Sequence, residues 1–319
     1  MAKNEIRLQY SGFVIFAAKI LSVVTGMAFT LLITRNATKD QYGIWSNVFD
    51  LIPYFMLLAG VFPFWVTRFV ARGKEGSVKA GFFANLVIGI ISAAVYISLV
   101  PLVTSALNVS EYITLYLIAS LQLIQLHLLY VLEGCLRAER PQAVGYGLLI
   151  EEVCKILLAY ILIMKFQQPL LGAIVSLVTA FSVQIIYYVH LVSHDFKQKI
   201  QWNYIREWLK GSIANIYQLA GNQIAAFVYI LLIVYGGKAA RGDYAAAATI
   251  ANIVAYSLFL SFALYPKLLA ENSVEDVTTS LKTVLMFAIP MTAGAMAMPD
   301  SFLIILDETY REATPILFL

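Results

Sequence analysis

Lys19, Asp50, Glu151, Glu152 and Lys155 each fall inside a long apolar run of the sequence. Ionised groups in apolar surroundings are costly, so they pair with one another or face a polar cavity. Glu151 and Lys155 are four residues apart, which sets them on one helix face within ion-pairing reach. At a rise of about 1.5 Å per residue, Lys19 lies about 12 Å into its run, with Glu151 and Glu152 at similar depth and Lys155 one turn deeper. Such a set has two uses. In one, the lysines hold an anion in a polar cavity while the acids exchange an ion. In the other, the charges compensate one another and only lock helices together. Asp50 lies about 10 Å from the end of its own run, by the same rise. It shortly precedes Pro53, which removes a backbone donor and can open the helix. Its carboxylate can bind a proton or Na⁺, or satisfy a freed backbone group. Asn215, Gln218 and Asn222 recur at i, i+3 and i+7, one helix face, with Gln223 beside them. Amides so placed either bond a neighbouring helix or line a cavity wall. His127 and His190 stand alone and read as structural or interfacial. Cys135 and Cys154 have no metal-ligand spacing and read as apolar filler, and no metal site is expected.

The elements that carry these residues follow from composition. Of 319 residues, 61% are hydrophobic and 13% charged, and mean hydropathy is +0.78. A water-facing surface needs nearer twice that share of charge, so most of this surface faces lipid. The chain reads as an all-α polytopic membrane protein with nine spans, at about 11–34, 43–66, 79–103, 111–134, 143–165, 169–192, 212–235, 242–266 and 281–305. Each is long enough to cross a hydrocarbon core of roughly 30 Å. Fourteen of the 22 Lys and Arg residues lie on the side of the N-terminus and six on the other, which places the N-terminus in the cytoplasm. The opening MAKNEIRLQYSG is polar and is not a cleavable signal. Residues 194–212 form the longest connection, where Ile200, Trp202, Ile205, Trp208 and Leu209 alternate with Lys197, Lys199, Arg206 and Lys210. A basic, Trp-bearing amphipathic stretch of this kind lies in the headgroup plane. The ending EATPILFL reads as the start of a tenth span. Short loops and the lack of hydrolase, kinase, zinc or Rossmann motifs argue against an enzyme, and the small net charge of +3 argues against nucleic acid as a partner.

One stretch occurs twice. LLITRNATKDQYGIWS (31–46) is echoed by LLIVYGGKAARGDYAAAA (231–248): Leu-Leu-Ile, a basic turn, then Tyr and a small residue. The offset is 200 at the leucines and 202 at Tyr42 and Tyr244, and at 202 Asp50 falls on Asn252. The expected architecture is two pseudo-symmetric six-helix bundles in the same orientation: a first bundle (1–193), a cytoplasmic amphipathic linker (194–211) and an incomplete second bundle (212–319). Transporters use such parallel repeats because a site between the bundles can face either side.

Residues 15–73 resemble the opening of the polysaccharide/O-antigen (lipid-linked oligosaccharide) flippases of the MOP exporter superfamily. Arg35, Tyr42-Gly43 and Arg68-Phe-Val-Ala71 stand at that family's motif positions, with Asn36-Ala37 in place of its usual small-Leu-Gly text. GDYAAAATIANIV (242–254) is similar to the start of its eighth helix. Family members have 12 to 14 spans, so the resemblance implies a chain truncated at its C-terminus. It also implies a plasma-membrane flippase moving a lipid-linked glycan to the outer leaflet by alternating access, without cofactors apart from an H⁺ or Na⁺ coupling ion. On that reading Lys19 and Lys155 engage an anionic diphosphate, Glu151, Glu152 or Asp50 carries the coupling ion, Arg35 marks the outer rim and Arg68 an inner gate. Membrane lipids and glycan-synthesis enzymes are the expected partners of a monomer. The alternatives are a MATE-like cation-coupled multidrug antiporter and a non-transporting scaffold subunit of a glycan-synthesis complex.

Overall fold

The computed structural model describes residues 8–255 and 274–318, and among them regular structure is helical throughout. In chain order the helices are α1 (Leu8–Thr34), α2 (Lys39–Phe55), α3 (Val61–Ala71), α4 (Ser77–Ala106), α5 (Ile113–Glu139), α6 (Pro141–Ala159), α7 (Pro169–Leu191), α8 (Trp202–Gly211) and α9 (Ile213–Ala255). The helices Val274–Ala297 and Pro299–Leu306 and the short turn of helix Thr314–Leu317 follow. Tyr10–Thr34, Ser77–Ala106, Ser110–Glu139 and Pro169–Leu191 are long and apolar enough to cross a membrane.

Four expected spans differ from straight rods. The second is broken: α2 ends two residues after Pro53, residues 56–60 turn, and α3 resumes, with the Met56 amide donating to Pro53 O at 3.1 Å. Proline cannot donate to the helical ladder, and Gly60 follows close behind, so the chain opens just beyond Asp50. The seventh and eighth meet in α9, where Gly237 has φ +81°, a conformation that costs glycine little. The rings of Tyr229 and Tyr244 then lie 5.3 Å apart, although a straight helix would separate them by more than 20 Å. The chain therefore doubles back as two arms, 213–236 and 238–255. The ninth is bent by 89° between Leu281–Ala297 and Pro299–Leu306, where Pro299 opens a new helix. The part of the expected eighth span beyond residue 255 lies outside the described residues.

Two apolar cores run through the fold. The first lies at the end of the molecule that holds the start of α2. It joins Ile33, Tyr42, Ile44, Val48, Tyr116 and Ile174 to Ile230, Ile233, Ala246 and Ile250 of α9 and to Leu303, Leu306 and Tyr310. The second lies at the opposite end and is built from α3 to α8, around Phe62, Val66, Leu132, Tyr188 and Trp208. Trp208 is fully buried among the rings of Phe62, Phe69 and Tyr204, while Trp202 is 67% exposed. The amphipathic pattern of α8 thus divides between lipid and protein: Trp208 pegs the helix to α3 and is not a headgroup anchor.

Candidate functional site

The two segments that read alike in the sequence pack against each other in the structure. Thr38 and Gln41 start α2 as a capping box, Thr38 Oγ1 accepting from the Gln41 amide and Gln41 Oε1 from the Thr38 amide. This fixes Lys39, Tyr42 and Asp50 on one rigid helix facing the second arm of α9. The crossing is close: a Cβ on Gly43 would sit 2.0 Å from Lys238 O, and one on Gly242 would sit 2.3 Å from Lys39 O. Lys39 Nζ reaches Asp243 at 3.2 Å and Glu312 at 2.6 Å, and Lys238 pairs with Glu111. Tyr42 Oη lies 3.1 Å from Thr249 Oγ1, with its ring edge-on to Tyr310. Thr34 donates to Leu306 O and Arg35 to Ile305 O. A polar rim thus ties α1 and α2 to α9 and the C-terminal helices over the first apolar core.

Beneath that rim is a cavity of about 510 Å³ lined by α2 and both arms of α9, including Trp45, Phe49, Asp50, Tyr229, Arg241 and Tyr244. Asp50 does not meet a freed backbone group. Its two oxygens take a bidentate pair from Arg241 Nε and Nη2, both at 2.7 Å. The side chains are 13% and 6% exposed, so little solvent screens the pair. Arg241 Nη1 is enclosed and without a hydrogen-bond partner, and its guanidinium lies 5.5 Å from the Tyr244 ring centre. A second cavity of about 640 Å³ lies along α1 from Val23 to Leu31 and shares Thr249 and Asn252 with the first.

The acidic pair of α6 forms a separate cluster. Lys155 Nζ meets Glu151 at 3.2 Å and Glu152 at 2.6 Å, with all three side chains at most 9% exposed. Glu152 also accepts from Ser22 and Thr25 of α1, each at 2.5 Å, and Lys155 lies 5.8 Å from the Phe29 ring. Each hydrogen bond to a charged group contributes about 1.5–3 kcal/mol, so Ser22 and Thr25 clamp α1 to α6. With two carboxylates on one ammonium, Lys155 is not offered to an outside anion in this arrangement.

The remaining sequence candidates are dispersed. Lys19 is exposed on α1, three residues before Ser22, and its charge acts on Glu133. Arg35 is exposed at the polar rim. Arg68 is exposed at the opposite end, stacked 3.4 Å over Phe64. The side chains of Asn215, Gln218 and Asn222 lie outside the described residues. Sequence reading missed Arg241, which hydropathy assigns to a connecting turn, and the hydroxyls of Ser22 and Thr25.

No known family model matches the sequence, and no curated protein matches it either. The fold does have solved counterparts. An inward-facing multidrug resistance MATE family transporter of the MOP superfamily superposes with a TM-score of 0.68 at 13% identity, over 97% of this chain and 78% of that one. An outward-facing MATE family transporter gives 0.57 at 14% identity, over 96% and 75%. A MOP superfamily transporter from Pyrococcus furiosus, described as having a binding pocket of reverse polarity, gives 0.58 at 15% identity, over 96% and 75%. The fold is therefore that of MOP-superfamily membrane transporters.

Proposed function

We propose that this chain is a transporter that flips lipid-linked oligosaccharide precursors from the cytoplasmic to the outer leaflet of the plasma membrane by alternating access. The observation that carries the reading is the seal between the first-half helices and α9. At one end an apolar core and a row of polar contacts seal them together over a cavity. At the other, the described core residues come from α3 to α8. With the N-terminus cytoplasmic, the sealed end is the outer one, and on this reading the cavity is reached from the inner side. The higher TM-score against the inward-facing relative than the outward-facing one supports the same assignment. In this scheme residues 1–193 and 212–319 rock about the linker 194–211. Lys19 then meets the anionic headgroup, Arg68 stands at the cytoplasmic mouth and Arg35 at the outer rim. A coupling proton or Na⁺ acts through Asp50, or through Glu151 and Glu152, when the pairs described above open.

One observation favours a second reading, a cation-coupled multidrug antiporter: Asp50 is the carboxylate of the cavity lining, and multidrug MATE transporters share the fold. Against it, Arg241 already neutralises that carboxylate, so a cationic drug gains little there. Purified protein in liposomes separates the two. Transfer of a fluorescent lipid-linked disaccharide between leaflets, without proton- or Na⁺-driven ethidium efflux, is the expected result; the reverse pattern selects the antiporter. Absence of both, with a stoichiometric glycan-synthesis enzyme in the purified material, selects the scaffold reading.

A further inference from the structure

We infer that the cavity between α2 and α9 is a recognition site for an anionic saccharide, with Arg241 as its anion-binding group. The inference rests on the transporter reading for the cavity's purpose and on the side chains for its ligand. Arg241 is 95% buried by the 5% exposure of the residue, and only one edge of its guanidinium is used, by Asp50. Nη1 is enclosed with its hydrogens unmatched. A buried donor on an ionised group is rarely left so, and an entering oxyanion supplies the acceptor it lacks. Phosphate and carboxylate both fit the planar donor fork of arginine.

The rest of the lining suits a sugar. Trp45 and Phe49, with ring centres 4.5 Å apart, and Tyr244 border the cavity and offer apolar faces to the C–H surfaces of a pyranose. Ser46, Thr249 and Asn252 add neutral donors and acceptors for hydroxyl groups. Asp50 and Arg241 are the charged residues of this lining, so the site is neutral when empty. The bound anion adds one negative charge beside Asp50. Asp50 is therefore both the holder of Arg241 in the empty cavity and the group that limits anion affinity. A second, opposite consequence separates this from a structural ion pair: making Asp50 neutral while keeping its hydrogen-bonding oxygen should tighten anion binding.

The test is calorimetric titration of the detergent-solubilised protein with four probes: glucose 1-phosphate, glucuronate, methyl glucoside and inorganic phosphate. Both anionic sugars are expected to bind at least about tenfold tighter than methyl glucoside and than inorganic phosphate. The better of the two tells whether the anion is a phosphate next to the lipid or a carboxylate on the glycan. Asp50→Asn should tighten anionic sugars by roughly tenfold or more, as removal of a nearby like charge in a weakly screened site requires. The double variant Asp50→Asn/Arg241→Gln replaces the ion pair with a neutral hydrogen-bonding one, and an unchanged melting temperature checks that the fold is kept. It should bind methyl glucoside as before and lose the preference for anions. Equal binding of charged and neutral sugars by the unmodified protein, weaker anion binding by Asp50→Asn, or a preference that survives the double variant each overturns the inference. Leaflet transfer is scored separately. Anion-selective binding without transfer removes the transporter reading and leaves the site, whereas transfer without anion preference does the reverse.

Discussion

Replacing Gly43 with alanine tests whether the α2–α9 crossing holds the polar rim shut. The added methyl carbon would lie 2.0 Å from Lys238 O and 3.0 Å from Gly242 N, both backbone atoms that cannot swing aside. To bring the first contact even to 3.0 Å, the helices must move apart by about 1 Å, and overpacking of this kind costs about 1–3 kcal/mol. That strain falls on the sealed arrangement and is relieved when the helices part. The equilibrium should therefore move toward the opened rim by roughly 5- to 150-fold. Pulsed electron paramagnetic resonance reads it directly. Spin labels at Asn36 and Ala239, both exposed, are placed in a background with Cys135 and Cys154 replaced by alanine. The expected result is a new or enlarged long-distance population in Gly43→Ala. Gly26→Ala is the control, because its methyl would meet nothing within 4 Å. An unchanged distance distribution together with an unchanged melting temperature in Gly43→Ala would refute the reasoning, since a backbone clash of this size cannot be absorbed silently.

Removing both hydroxyls that serve Glu152, as Ser22→Ala/Thr25→Val, should destabilise the chain by about 3–6 kcal/mol from two charge-assisted bonds, read as a lower melting temperature in detergent. Trp208→Ala should cost about 3–5 kcal/mol and release α8 from α3, measured as faster proteolysis between residues 194 and 212. The Lys39 ammonium beside Glu312 holds its carboxyl below the usual glutamate range. Its contribution to the rim is complete above the ordinary glutamate pKa of about 4.3 and fades as pH falls through the depressed value. Lowering pH through that window should raise the long-distance spin-label population, and Glu312→Gln should flatten the response.

Much of the helical plan was legible because apolar runs report directly on spans, and the i,i+4 spacing of Glu151 and Lys155 reported their pair. What spacing could not give is where charge meets charge across the fold. Asp50 and Arg241 are 191 residues apart, and hydropathy alone reads GGKAARGD as a connecting turn. A signal was present nonetheless. At the offset of 202 that aligns Tyr42 with Tyr244, Arg241 falls on Lys39, and both cations reach across to the opposite segment. Ser22 and Thr25 were likewise visible as hydroxyls one turn apart in an apolar helix, at the depth of the α6 acids. Trp208 illustrates a different limit. An apolar residue on an amphipathic helix looks the same whether it will meet lipid or protein, and only the aromatic pocket of α3 decides.

The Asp50–Arg241 pair also bears on how well the molecule insulates. Parting the two halves at the rim would leave a carboxylate on α2 and a guanidinium on α9, each needing water at once. Without it, each stranded ion costs several kcal/mol. The cost of stranding both charges thus opposes thermal opening of the rim while the cavity is empty. On the transporter reading proposed above, such a chain leaks least when it has nothing to carry.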